Sequence, residues 1–291
     1  MKRVGFIGLG VMGEPMCRNL AVKAEVEVVG YDRDAAPLQR LAEHGVSSAR
    51  SLREVAEDAE VIFLCLPSGE AVSEVAHAQD GLLAVVRPGQ IVVDCSTSSV
   101  EVTQWLHREF AEVGATFIDA PIARTRAAAE AGKLSVMVGS DEATFEKVRP
   151  LLMTFAEEIT LCGAVGSGQV VKILNNMILF QIVVVLAEAK SIGESAGVNP
   201  EVLFETLAKG SADSFALRNH GMKAILKDDF PLRAFSVEYA RKDMNYALQL
   251  AKSAGVDPPG ARKVNALFSQ AIEAGLGKQY WPVVSRLIEG G

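Results

Sequence analysis

Val4-Gly5-Phe6-Ile7 runs straight into Gly8-Leu9-Gly10-Val11-Met12-Gly13 and then into Glu14-Pro15, and this stretch decides how the first half of the chain is read. The opening run is apolar without alternation, as a strand covered on both faces is. Pro15 suits the first turn of a helix, where its missing N–H has no partner to lose. Strand, G-x-G-x-x-G turn and helix in that order make a cradle for phosphate. Gly8 permits the tight turn, Gly10 keeps a Cβ out of the path of a pyrophosphate, and Gly13 lets the helix pack on the strand. The helix N-terminus then attracts the anion. Residues 8–13 are therefore expected to hold a dinucleotide.

Working outward, strand-like runs recur at 4–7, 26–31, 61–66, 91–95, 116–118, 134–138 and 159–162, with helix-compatible segments between most of them. That alternation predicts an α/β, doubly wound sheet over about the first 160 residues. After Gly163 the strand-like runs stop, and helical segments follow near 168–196, 200–208, 237–254 and 260–275. We expect a dinucleotide-binding domain at 1–163 and an all-α domain at 164–291. The helix opening the second domain would exceed roughly 40 Å, at about 1.5 Å per residue. Its middle is apolar on nearly every side, so a second subunit is expected to cover part of it. Its longest apolar stretch, 177–187, contains Gln181 and falls short of the roughly 20 residues that span a bilayer, so it reads as a buried helix.

Composition narrows the partners. With 36 acidic against 29 basic residues, the formal charge of −7 repels phosphate backbones and anionic lipid, and no Lys/Arg cluster overrides it. Neither nucleic acid nor membrane is expected. Cys17, Cys65, Cys95 and Cys162 lie far apart without C-x-x-C spacing, as free thiols of a reducing compartment do. Met1 leads directly into the first strand with no signal-peptide cleavage site, so the expected location is the cytoplasm. His44, His77, His107 and His220 show no metal-ligand spacing, and no metal is expected.

The second strand ends at Tyr31-Asp32-Arg33. A carboxylate there can accept hydrogen bonds from the ribose hydroxyls of NAD and would repel the 2′-phosphate of NADP, so NAD is the expected cofactor. Arg33 could neutralise such a phosphate, stack on adenine, or simply lie in solvent. Leu66-Pro67 stands at the carboxyl edge of the sheet, where ligands bind, and a proline that merely stops a strand reads the same way.

The reacting group must be something other than histidine. Lys172 lies in Gly166-Ser167-Gly168-Gln169-Val170-Val171-Lys172-Ile173-Leu174-Asn175-Asn176, early in the long helix, with Asn175 and Asn176 on the same face. Desolvation and a nearby nicotinamide cation would both favour neutral lysine and suit it to acid/base work, with the amides orienting substrate. A snorkelling lysine beside bridging asparagines is the structural alternative.

The whole chain resembles the β-hydroxyacid dehydrogenases, the family of 3-hydroxyisobutyrate dehydrogenase and tartronate semialdehyde reductase. The likeness rests on residues 5–13, Asp94-Cys95-Ser96-Thr97, Asp119-Ala120-Pro121, residues 166–176 and Lys242-Asp243. It implies a Rossmann domain followed by an all-helical domain, and homodimers or homotetramers built on the long helix. It also implies Lys172 as general acid/base, Ser96 and Asn176 at the substrate, Thr97 at the cofactor, and Lys242 beside both. The implied reaction interconverts a 3-hydroxy acid and its semialdehyde.

One loop departs from the family. Where most members carry Ser-Gly-Gly after Asp-x-Pro, this chain has Ala123-Arg124-Thr125. A guanidinium fork and a hydroxyl replace bare backbone, which suits a larger or differently shaped oxyanion. Arg124, Thr125 and Ser96 are the expected anchors of a small anionic substrate. Pro121-x-x-Arg124-Thr125 together with Trp281 is similar to the 3-sulfolactaldehyde reductase branch, in which the arginine contacts a sulfonate, but Leu179 stands where that branch has serine. Arg124 paired with Glu130 at the rim is the alternative. Tartronate semialdehyde reduction, a 6-phosphogluconate-like or imine-reductase-like activity, and a non-catalytic dinucleotide-binding module are the rival readings. The first is the nearest of them.

Overall fold

The structure, a computed structural model, describes residues 2–232 and 234–289. The chain forms two compact units, Met1–Lys172 and Ile173–Gly291.

The first unit is built on a nine-stranded sheet. Its strands are β1 Arg3–Ile7, β2 Glu27–Tyr31, β3 Val46–Ser48, β4 Val61–Leu64, β5 Ile91–Asp94, β6 Thr116–Asp119, β7 Ile122–Ala123, β8 Leu134–Gly139 and β9 Ala156–Gly163. The helices are α1 Gly13–Lys23, α2 Ala35–Ala42, α3 Leu52–Ala56, α4 Gly69–His77, α5 Leu82–Val85, α6 Val100–Glu112, α7 Arg126–Ala131 and α8 Glu142–Leu152. Strand order is β3-β2-β1-β4-β5-β6-β8-β7, with β9 on β8. The five pairings from β3 to β6 are parallel, so the crevice at the carboxyl ends of β1 and β4 is the switch point where such sheets bind ligands.

Neighbouring residues of one strand enter opposite cores. Phe6, Val28, Phe63 and Val93 join one cluster, whereas Ile7, Val29, Ile62 and Val92 join the other. With both faces covered there is no polar face to alternate with, which is why the strands read as unbroken apolar runs. The sheet is not wholly parallel. β8 runs antiparallel to β6 and β7, and β9 then returns parallel to β8. The two-residue β7 and three-residue β3 are too short to leave a period in the sequence.

The second unit is helical. The long helix α9, Ser167–Ser195, leads into it and is followed by α10 Pro200–Leu207, a π-helix at Leu217–Ile225, α11 Val237–Ser253, α12 Pro259–Glu273 and α13 Arg286–Glu289. Phe180 of α9 lies edge-on to Trp281 at 4.8 Å and to Phe268 at 5.4 Å, forming the centre of this core. Trp281 is only 1% exposed, so its presence is a packing requirement of this unit. The first unit runs past Gly163 to Lys172 because the opening turn of α9 is tied to β6, as described below.

Helix α9 is apolar over more of its length than residues 177–187 alone indicate. It is 29 residues long with a mean hydropathy of 2.1 over its most apolar window, so by length and composition alone it could cross a membrane. The stretch 177–187 understates it because Val170, Val171, Ile173 and Leu174 extend the apolar run past Asn175 and Asn176, and the chain itself covers the helix only in part. Only 39% of that window is buried: Phe180, Val183 and Ala187 face the core, whereas Ile178 and Val185, and Ile192 beyond the window, are exposed.

Candidate active site

The glycine loop joins β1 to α1. Gly8 has φ +91°, a left-handed conformation that favours glycine, and a Cβ there would strike the Cys65 carbonyl. A Cβ on Gly13 would strike the Gly8 carbonyl, so the helix could not start so close to the strand. Beside Gly10 a Cβ would meet nothing within 4 Å, and the backbone there faces open space. Leu9 N–H donates to Asp32 Oδ2 at 2.6 Å and Asp34 N–H to Asp32 Oδ1 at 2.8 Å, which fixes the carboxylate at the end of β2 next to the loop.

A cleft of about 210 Å³ opens there, walled by Tyr31, Asp32 and Arg33 on one side and by Leu66, Ala71 and Val75 on the other. Turn, open backbone, fixed carboxylate and a mostly apolar cleft are what a dinucleotide needs, and the residues fit one. Val11 is exposed and Met12 half-buried at the mouth of the loop, and Pro67 lies on the cleft wall with Leu66. Four cysteines are present and all are free thiols. Burial pushes the Cys65 thiol up to about 12, which keeps this neighbour of the loop unreactive.

Beyond β5 and β6 the chain builds a buried polar cluster. Asp94 Oδ1 accepts from Ser96 N–H at 2.9 Å, and Asp94 Oδ2 accepts from the Ser98 hydroxyl at 3.1 Å. Asp119, in register with Asp94 on the adjacent strand, accepts from Gly166 N–H at 2.7 Å and Gln169 N–H at 2.8 Å. It thereby satisfies donors that the start of α9 would otherwise leave orphaned. Burial pushes both carboxyls up to about 6, outweighing the hydrogen bonds that favour their ionised forms.

Gln169 completes the tie. Its Nε2 donates to the Ser96 carbonyl at 2.9 Å and its Oε1 accepts from Ser98 N–H at 3.1 Å. Gly168 must be glycine, because a Cβ would strike the Met137 carbonyl. The half-buried Lys172 follows Gln169 by three residues, one turn further along α9.

Each remaining candidate has a definite setting. Ser96 is 3% exposed, its Oγ accepts from Leu66 N–H at 2.9 Å, and its hydroxyl hydrogen-bonds the Asp94 carboxylate. Thr97, the next residue, is half-buried. Thr125 caps α7, its side chain accepting from Ala128 N–H. In the second unit Asn175 donates to Asn176 Oδ1 at 3.1 Å, and Asn176 Nδ2 donates to the buried Asp243 at 2.7 Å. Lys242 lies 3.1 Å from the same carboxylate and 5.2 Å from the Tyr246 ring centroid. Among the described residues no group of His, Cys, Asp and Glu could hold a metal.

Arg124 is not paired with Glu130, which bonds Arg126 instead. Its Nη1 donates to Glu157 Oε2 at 2.8 Å and to the Lys133 carbonyl at 2.7 Å. The backbone at Arg124 has φ +86°, the left-handed region in which non-glycine residues are strained. Sequence reasoning did not find Gln169, Glu157 or the carboxylate roles, although Asp94, Asp119 and Asp243 all lie in the motifs quoted above.

This fold and loop define a nicotinamide-dependent oxidoreductase. Residues 3–163 match the family described as the NAD binding domain of 6-phosphogluconate dehydrogenase, and residues 166–283 match the one described as NAD-binding of NADP-dependent 3-hydroxyisobutyrate dehydrogenase. The chain is 33% identical over 287 residues to 2-(hydroxymethyl)glutarate dehydrogenase of Eubacterium barkeri, covering 99% of this chain and 95% of that one. It is 34% identical over 276 residues to 2-hydroxy-3-oxopropionate reductase of Escherichia coli, covering 94% and 92%. The structure of Mycobacterium tuberculosis 3-hydroxyisobutyrate dehydrogenase with L-serine superposes with a TM-score of 0.89 at 30% identity, over 99% of both chains. The chain belongs to the β-hydroxyacid dehydrogenase family, and NAD is its dinucleotide.

Proposed function

We propose that this hydroxyacid dehydrogenase interconverts a 3-hydroxy acid and its semialdehyde, and that Arg124 grips the anionic end of the substrate. The observation that carries the reading is the division of labour on Arg124. Nη1 is spent on Glu157 and Lys133, whereas among the described residues Nε and Nη2 make no hydrogen bond. Those two nitrogens form the edge that a guanidinium offers to a pair of oxyanion oxygens. Thr125 and Ser96 bring their hydroxyls to the same end.

Residues 8–13 with Asp32, Arg33, Leu66, Pro67, Thr97 and Lys242 would hold NAD, which would supply hydride exchange with the alcohol carbon. Lys172 Nζ takes the hydroxyl proton in oxidation and gives it back in reduction. Asn175 and Asn176 orient the substrate oxygen, and binding the remote anion holds the reacting carbon in place. The exposed apolar stripe of α9 is the contact of a homodimer or homotetramer, and four free thiols suit a cytoplasmic location.

A sulfonate head is the finer reading favoured by the Arg124-Thr125 pair, since three oxygens can meet the Nε/Nη2 edge and a hydroxyl together. The test is a panel of succinic, methylmalonic and tartronic semialdehydes and 3-sulfolactaldehyde, assayed with NADH and NADPH on wild type and Arg124→Ala. Unchanged KM and kcat on every member after the substitution would remove the anchor.

A further inference from the structure

The cleft beside Asp32 carries a charge pair between Arg33 and a residue that has no role above. Arg33 Nη2 lies 3.8 Å from Glu74 Oε2, and the two side chains are 83% and 69% exposed. Arg33 belongs to the wall at the end of β2. Glu74 sits on α4 between Ala71 and Val75, the residues that form the opposite wall. An ion pair so exposed contributes little to folding. Its effect is on the field at the cleft mouth.

We propose that Glu74 is a specificity-determining residue that rejects the 2′-phosphorylated dinucleotide by occupying Arg33. An arginine directly after the ribose-binding carboxylate would otherwise invite a 2′-phosphate, because the guanidinium matches phosphate geometry and charge. With Glu74 across the cleft, that cation is already balanced. A phosphate carrying nearly two negative charges would then face two carboxylates, Asp32 and Glu74, with one shared guanidinium between them. The uncharged ribose hydroxyl of NAD meets no such repulsion. Asp32 cannot turn away from the approaching group, since Leu9 and Asp34 N–H groups hold both of its oxygens.

This inference rests on the cleft being the cofactor site, and the experiment separates the two. Dissociation constants of NAD and NADP are measured by titration calorimetry at low and high salt for wild type, Glu74→Gln, Arg33→Ala and the double variant. Glu74→Gln is expected to shift the NADP/NAD affinity ratio toward NADP by roughly three- to tenfold at low salt, and by less at high salt, as screened surface charges require. Most of that shift is expected to vanish in the Arg33→Ala background. A ratio within twofold of wild type at low salt, or a shift undiminished without Arg33, would overturn the proposal. Failure of wild type to bind either dinucleotide would overturn the cleft assignment itself.

Discussion

Gln169 Nε2 donates to the Ser96 carbonyl over 2.9 Å, joining the end of β5 to the first turn of α9. The same side chain also receives Ser98 N–H, and it is fully buried. Replacing it with Met removes both partners and leaves a buried C=O and a buried N–H unpaired, at a cost on the order of 1–3 kcal/mol for each group. Gln169→Met is therefore expected to lower the denaturant midpoint and, by loosening the turn that carries Lys172, to lower kcat. A variant with wild-type stability would show that the bridge is dispensable.

Lys172 is the proposed proton carrier, and general acid/base groups contribute about 10²–10⁴-fold. Lys172→Ala is expected to lose at least roughly a hundredfold in kcat by that measure. NAD binding, followed by titration calorimetry, should persist. Turnover close to wild type would assign the proton to another group.

Arg124 tests strain and recognition together. Arg124→Ala should cost roughly ten- to a hundredfold in kcat/KM for the anionic substrate, the worth of a charge-assisted pair of about 1.5–3 kcal/mol. Arg124→Gly loses the same grip but relieves φ +86°. It should therefore unfold at a higher temperature than Arg124→Ala, by the equivalent of about 1 kcal/mol. Equal melting temperatures would mean that the left-handed backbone is relaxed here.

Arg124 and Gln169 also mark what a sequence discloses and what it withholds. Glycine spacing and unbroken apolar runs are local properties, so residues 4–15, the α/β order and the change to helices after Gly163 are all legible from residue order alone. The π-helix at Leu217–Ile225 left no comparable signal, because Arg218, Asn219, His220 and Gly221 interrupt any apolar stripe. Partners distant in sequence are equally silent. Glu130 is the local choice for Arg124, yet the β8–β9 pairing delivers Glu157 from 33 residues away. Gln169 sits in plain view in the motif, but its function appears only when residues 71 and 73 positions earlier fold back on it.

The exposed stripe of α9 predicts an assembly. Ile178, Val185 and Ile192 recur every seven residues and are 53%, 58% and 69% exposed, the spacing of a helix that packs against a partner along its length. Ile178→Glu combined with Val185→Glu should shift the sedimentation coefficient to that of a smaller species. An unchanged assembly would place the contact elsewhere.

Stability should respond to pH in two opposing ways over the same range. Asp94 and Asp119 hold their protons up to about 6 in the folded protein, above the unfolded value of about 3.8, so the folded state binds more protons between these limits. Their contribution is greatest at the acid end and is lost as pH rises from about 4 to 6. His220 behaves oppositely. Burial lowers it to about 4, so the folded protein keeps it neutral, with Nδ1 2.6 Å from the Tyr280 hydroxyl. Its contribution is present above about 6.5 and is lost as pH falls toward 4. Asp94→Asn separates the two, because an amide there can still accept from Ser96 N–H and donate to the Ser98 hydroxyl without ionising. Measured by urea unfolding, the stability of Asp94→Asn relative to wild type should climb between pH 4 and pH 6 and then level off. A difference constant across that interval would mean that the Asp94 carboxyl ionises as it does in the unfolded chain.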